Sequence, residues 1–197
     1  MLTRLAELDL LQLVHSSLAW DDKKKERFTR VWCMDKNSTF VAGPPSASRS
    51  FLNWHYWLLD QAGSEIQSVD NRLHFQANLL ESLLAASTLF KGYPALAGLK
   101  PSQCVTWLEE LPLTAVYATC LSVPEGEARQ NLRDYLETWR KIKPKTNGDD
   151  LKERGLLPGP RYKQILSSLR QAWLDGTVRT EREEMELLEK LLTAQPD

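Results

Sequence analysis

Residues 147–176, NGDDLKERGLLPGPRYKQILSSLRQAWLDG, decide the fold. Asn147 is a good N-cap, and Asp150 three residues on suits the positive end of a helix. Leu151 to Arg154 make about one turn, and Gly155 supplies the left-handed position that ends it. Leu156 and Leu157 are expected to tuck under the corner. Pro158-Gly159-Pro160 stops one helix and opens the next, because proline fits a first helical position. Tyr162, Ile165, Leu166, Leu169, Ala172 and Trp173 then recur at helical spacing until Asp175-Gly176 ends the run.

That helix start leaves backbone N–H groups exposed at Gly159 to Tyr162, where an anion such as phosphate is attracted. Arg161 and Lys163 place mobile positive charge beside it. Arg140, Lys141, Lys143 and Lys145 lie just upstream, where the preceding helix ends. These seven residues are the candidate contacts to a nucleic-acid backbone. The alternative is an ordinary corner whose cations solvate helix ends, since cations favour helix C-termini without any ligand.

The remaining chain carries the same periodicity. Leu2, Leu5, Leu8, Leu11 and Val14 define a first helix, closed by His15 as a cap or packing residue. The segment from Asp21 to Arg30 interleaves Lys23, Lys24, Lys25, Arg27 and Arg30 with Asp21, Asp22 and Glu26, the pattern of a solvated helix face. Val31, Trp32 and Met34 are expected to bury its end. Gly43-Pro44-Pro45 breaks the chain, and Ser46 or Ser48 caps a helix whose aromatics, Trp54 and Trp57 among them, are expected in the core. The stripe Ile66, Val69, Leu73, Ala77, Leu80, Leu84 predicts one long central helix over residues 65–90. Ser102 is expected to cap a helix through Trp107 and Leu108. Val116, Tyr117, Cys120 and Leu121 form a short helix. Ser122 and Glu125 have capping-box spacing ahead of the stripe Ala128, Leu132, Tyr135, Leu136, Trp139, Ile142. Thr180 and Glu183 form a second box before a last helix. No run shows the two-residue alternation of a half-buried strand. An all-α fold is predicted, with a multi-helix body over residues 1–143 and a small helical tail over 144–197.

Composition narrows the function. The chain has 197 residues, with 25 Lys+Arg against 26 Asp+Glu. A uniformly basic nucleic-acid protein is excluded, so an RNA contact has to be a local patch. Cys33, Cys104 and Cys120 lie far apart without metal-ligand spacing, which fits a reducing cytoplasm. No window holds the roughly 18 apolar residues that a membrane span needs.

The pattern NG-DDL-x-x-x-GL-x-PGP followed by IL and LDG resembles the C-terminal tail of bacterial tRNA nucleotidyltransferases, the CCA-adding enzymes of the poly(A) polymerase family. Gly148, Asp149, Asp150, Leu151, Gly155, Pro158, Gly159, Pro160, Ile165, Leu166, Ala172, Leu174, Asp175 and Gly176 carry it. LAELDLLQLVH at 5–15 and KPSQCVTWL at 100–108 are similar to body-helix segments of that family, with Ser16 where it often has proline. The resemblance implies a C-terminal body and tail that hold tRNA for 3′-terminal addition by a nucleotidyltransferase head, with no membrane or DNA partner. Magnesium and ATP or CTP would belong to that head. The metal-binding Asp-x-Asp pair does not occur in this sequence, nor do Arg-Arg-Asp and Glu-Asp-x-x-Arg. This chain alone is therefore expected neither to transfer nucleotides nor to carry a cofactor. A competing expectation is a protein-interaction module using a groove lined by Trp54, Trp57 or Trp107.

Overall fold

Helical periodicity resolves into twelve α-helices, and no strand, among the residues described by the computed structural model, 2–37, 49–156 and 159–193. They are α1 (Leu2–Glu7), α2 (Leu10–Val14), α3 (Asp22–Asn37), α4 (Arg49–Leu58), α5 (Gly63–Leu73), α6 (Ala77–Gly92), α7 (Pro101–Leu108), α8 (Leu113–Ser122), α9 (Glu127–Glu137), α10 (Gly148–Glu153), α11 (Pro160–Leu174) and α12 (Glu181–Thr193). The fold is all-α, a multi-helix body followed by a small helical tail. No described helix is long and apolar enough to cross a membrane. The side chains of Trp32, Cys33 and Met34, the Gly43-Pro44-Pro45 break, Ser46, Ser48, Leu157 and Pro158 lie outside the described residues.

The helix at the centre is α8, not the long element expected over 65–90. Every residue from Ala115 to Ser122 is buried. Its sequence, LTAVYATCLS, holds no charge, and a helix apolar on all sides belongs inside. Val116 and Cys120 join Leu89, Leu108, Leu132 and Tyr135 in one core cluster, while Tyr117 and Leu121 face Val31 of α3 and Tyr56 of α4. Burial pushes the Cys120 thiol up to about 12, so it behaves as a small apolar side chain.

The 65–90 stripe is interrupted where His74 adopts a left-handed conformation (φ 52°). The Asp70 carboxylate accepts from the Phe75 N–H at 2.8 Å, a local bond that competes with continuing the helix. Phe75 then lies edge-on to Trp54, with ring centroids 4.9 Å apart. The first stripe is likewise split, at Asp9 (φ 54°). Leu8 is 51% exposed in consequence. His15 does act as a cap, its Nδ1 accepting from the Ser17 N–H.

The basic run of α3 is more internal than its pattern suggests. Lys24 is buried and donates to the Ala19 carbonyl, and Arg27 is buried with bonds to the Tyr56 carbonyl and Asp60. The Arg27 guanidinium also sits 5.2 Å over the Phe90 ring. Two expected caps are replaced. Lys100 precedes α7 with Pro101 at its first position, so Ser102 is already inside the helix. Gly126 precedes α9, while Ser122 is buried in the last turn of α8 and Glu125 pairs with Arg129.

His55 is fully buried in α4, its Nδ1 donating to the Phe51 carbonyl and its Nε2 meeting Ser82 Oγ, which in turn meets Thr114. Burial pushes its pKa below the ordinary 6.5, against the raising effect of these bonds. The unfolded chain therefore takes up this proton before the folded one. Stability is complete above about pH 6.5 and declines as pH falls toward the folded value. Urea denaturation from pH 7.5 to 5.5 should show this decline, and His55→Gln should flatten it. An equal decline in the variant would remove His55 as its cause.

Candidate nucleic-acid interface

Among the described residues, the caps and corners of residues 147–183 form where the sequence predicts them. Asn147 Oδ1 accepts from the N–H groups of Asp149 and Asp150, and Asp150 returns a bond to the Asn147 N–H at 2.8 Å. Gly155 takes φ 84°, and the Leu156 N–H reaches back to the Leu151 carbonyl, closing α10. Leu156 packs beside Leu151, Ile165, Leu169 and Leu188, and Tyr162 donates to its carbonyl. A second corner repeats this at Gly176 (φ 69°), with Thr177 N–H on the Ala172 carbonyl. Thr180 and Glu183 form the expected reciprocal box at the start of α12.

α11 connects the tail to the body. Ile165 and Leu169 belong to the tail core, while Leu174, one turn on, lies in the body core with Leu89 and Leu132. Two sets of polar contacts, at Asp175 and Arg170, fix this joint, and a third, at Glu184, ties the segment leaving the body to the tail. Asp175 receives the Ser102 N–H on Oδ1 and the Ser102 hydroxyl on Oδ2, both at 2.9 Å. Its carboxylate thus sits on the positive end of α7 from 73 residues away. Arg170 donates from Nε to the Ile142 carbonyl and from both terminal nitrogens to Glu109, at 3.0 and 2.6 Å. Glu184, 1% exposed, accepts from Lys145 N–H, Thr146 N–H, Thr146 Oγ1 and Trp173 Nε1. Burial pushes its pKa up, yet the bonds from Thr146, Lys145 and Trp173 prevail and hold it below the ordinary 4.5.

The seven candidate contacts divide around this joint. Arg140 and Lys141 occupy the 3-10 turn Trp139–Lys141, and Lys143 follows it, all three exposed. Gly159 and Lys163 are exposed at the start of α11. Arg161 is half-buried and donates to the Leu192 carbonyl at 2.8 Å, closing the C-terminal end of α12. Lys145 lies at the other end of α12, 3.4 Å from Glu181 in an exposed pair. Eleven residues of helix separate Glu181 from Leu192, about 16 Å. The two groups of cations therefore flank the joint and do not converge on one point. A cleft of about 600 Å³ between α10 and α12 is lined by Lys145 and Arg154 but also by Asp150, Glu153 and Glu181, a mixed field that does not concentrate phosphate. A second cleft, about 460 Å³, runs along Pro160, Lys163, Gln164, Ser167 and Ser168 on the exposed side of α11 and offers hydrogen-bond donors.

Glu184, Arg170 and Glu109 were not singled out by the sequence. Glu184 looks like one of several acids in a first helical turn, and its burial follows only from the return of the chain onto residues 145–146.

No known family model matches the chain. Over 85 residues, 43% of its length, the chain is 32% identical to the A-adding tRNA nucleotidyltransferase of Geobacter sulfurreducens, spanning 10% of that protein. The Thermotoga maritima CCA-adding enzyme complexed with tRNA has a similar fold, with a TM-score of 0.71 and 18% identity over 96% of this chain and 46% of that one. An apo CCA-adding enzyme gives 0.71 and 17% over 98% and 45%. The chain thus spans a tenth of the curated relative and just under half of these structures. The resemblance to tRNA nucleotidyltransferases is met in both sequence and fold.

The residues carrying that resemblance are largely structural. Asp150 caps, Leu151 and Ile165 fill the tail core, Gly155 and Gly176 turn corners, and Asp175 latches the body. The buried carboxylate of Glu184 yields a test. Glu184→Gln replaces an oxygen acceptor with an amide that faces donors, at a cost of about 1–3 kcal/mol. In the parent, the stability supplied by this group is present above about pH 4.5 and lost as pH falls through its lower folded value. Chemical denaturation at pH 7 checks the first effect. A loss under a few tenths of a kcal/mol would mean that the joint does not depend on this charge.

Proposed function

We propose that this chain is the non-catalytic, RNA-positioning part of a tRNA nucleotidyltransferase, holding tRNA while a head domain, covalently linked or associated, adds to the 3′ end. Within it, residues 1–143 serve as the body and 144–197 as the tail. The observation that carries the proposal is an all-helical fold, similar to nearly half of a CCA-adding enzyme seen with tRNA, with exposed cations on both sides of its body–tail joint. The side chains of Arg140, Lys141, Lys143 and Lys163 make no hydrogen bond or ion pair among the described residues, which leaves their charges available to phosphates. Lys145 and Gly159 border this surface, whereas Arg161 is engaged with α12. Phosphate contacts position an RNA without reading its sequence, which suits a protein acting on every tRNA.

The protein-interaction reading rests on weaker ground. Trp57 is 8% exposed and Trp54 stacks on it at 5.5 Å, so neither lines an open groove. Trp107 packs against the body core and occupies the space that a side chain at position 92 would need.

Titrating tRNA across a salt series tests the proposal. Affinity should fall steeply with salt, and Lys141→Ala, Lys143→Ala and Lys163→Ala should each lower the log–log slope by about one unit or slightly less. Incubated alone with tRNA lacking its terminal adenosine, labelled ATP and magnesium, the chain should incorporate no label. Salt-independent affinity, or unchanged slopes in all three folded variants, would contradict the RNA role.

A further inference from the structure

The cations assigned to RNA above sit on two sides of a joint, so their spacing is a property of how α11 is held. Lys163 lies near one end of this helix and Asp175 just past the other. Twelve residues of helix make a lever of about 18 Å. A rotation of about 10° at the Asp175 end would move Lys163 by roughly 3 Å, about the length of one hydrogen bond to a phosphate oxygen.

The Asp175 end is gripped by one residue of the body. Both carboxylate oxygens meet Ser102, one at its N–H and one at its hydroxyl, in the first turn of α7. Two bonds to two atoms of one residue constrain direction as well as distance, and Ser102 is itself buried. Arg170 and Glu109 tie the same helix one turn earlier, so loss of the Asp175 grip loosens α11 without releasing it. Leu174 stays in the body core beside it.

We infer that Asp175 is a positioning residue for RNA: its latch on Ser102 holds α11 so that Lys163 and the body-side cations Arg140, Lys141 and Lys143 meet one RNA backbone together. Asp175 itself touches no RNA, and the inference rests on the RNA-positioning role proposed above.

The test combines a distance with a salt slope, in the full chain. Spin labels at Glu110 and Gln164, both exposed, report the body-to-α11 distance without RNA. The parent should give one narrow distribution. Asp175→Ala should broaden it and lower the salt slope for tRNA by about one unit, the share of one phosphate. Asp175→Asn keeps an acceptor for the Ser102 N–H and should stay close to the parent in both. Should Asp175→Ala fail to fold, Ser102→Ala removes the hydroxyl bond alone and should shift both readouts the same way by less. An unchanged distribution overturns the latch. A broadened distribution with an unchanged slope overturns the positioning role and leaves Asp175 purely structural. If the parent shows no salt-sensitive affinity for tRNA, the RNA role itself fails, while the distance measurement still decides the latch.

Discussion

The sharing of α11 between two cores is the constraint on which the rest of the structure depends. Its first half closes the tail over Leu151 and Leu188, and its last turn enters the body beside Leu89 and Leu132. Apolar burial alone would let such a helix slide or rotate, because burial is non-directional. Direction comes from polar contacts that ring it: Arg170 on Glu109 and the Ile142 carbonyl, Asp175 on Ser102, and Trp173 on Glu184. Glu184 is the most demanding of these. A carboxylate buried to this extent is tolerated only when its lone pairs are filled, and four donors from residues 145, 146 and 173 fill them. The segment leaving the body, the middle of the tail and the last helix are thereby tied at one point.

This arrangement explains why the residues that carry the family resemblance are mostly corners, caps and core positions. A protein that positions a large RNA needs a frame whose shape is reproducible, and shape is set by Gly155, Gly176, the Asn147 cap and the Asp175 latch. In the proposed role the cations stand on exposed turns, where each would contribute a contact of modest strength and little sequence preference. Near-neutral overall charge is compatible with this, because the field that matters is local.

Local signals were legible in the sequence, and long-range ones were not. The Asn147 and Thr180 boxes, the Gly155 corner and the stripe of α11 are determined by neighbours within a few residues, and they appear where the pattern places them. The break at His74 was missed because Asp70 captures the Phe75 N–H while the apolar spacing runs on through it. The central position of α8 was missed because its stripe is short, although the absence of charge across LTAVYATCLS carried the signal. The burial of Arg27, the cap that Asp175 provides to α7 and the role of Glu184 depend on partners distant in sequence, which periodicity does not report. The same holds for the candidate site: the cations are adjacent in sequence to the joint, but only the fold separates Lys145 from Arg161 along α12.

Amide hydrogen exchange of the full chain with and without tRNA tests the central claim most directly. If the joint is the frame that presents cations to an RNA backbone, tRNA should slow exchange in the segment 139–146 and in the first turn of α11, near residues 160–163. The exposed stripe of α2, Leu10 and Leu13, should be unaffected. Protection confined to α1 and α2, or no protection at the joint under conditions where tRNA is bound, would contradict the account.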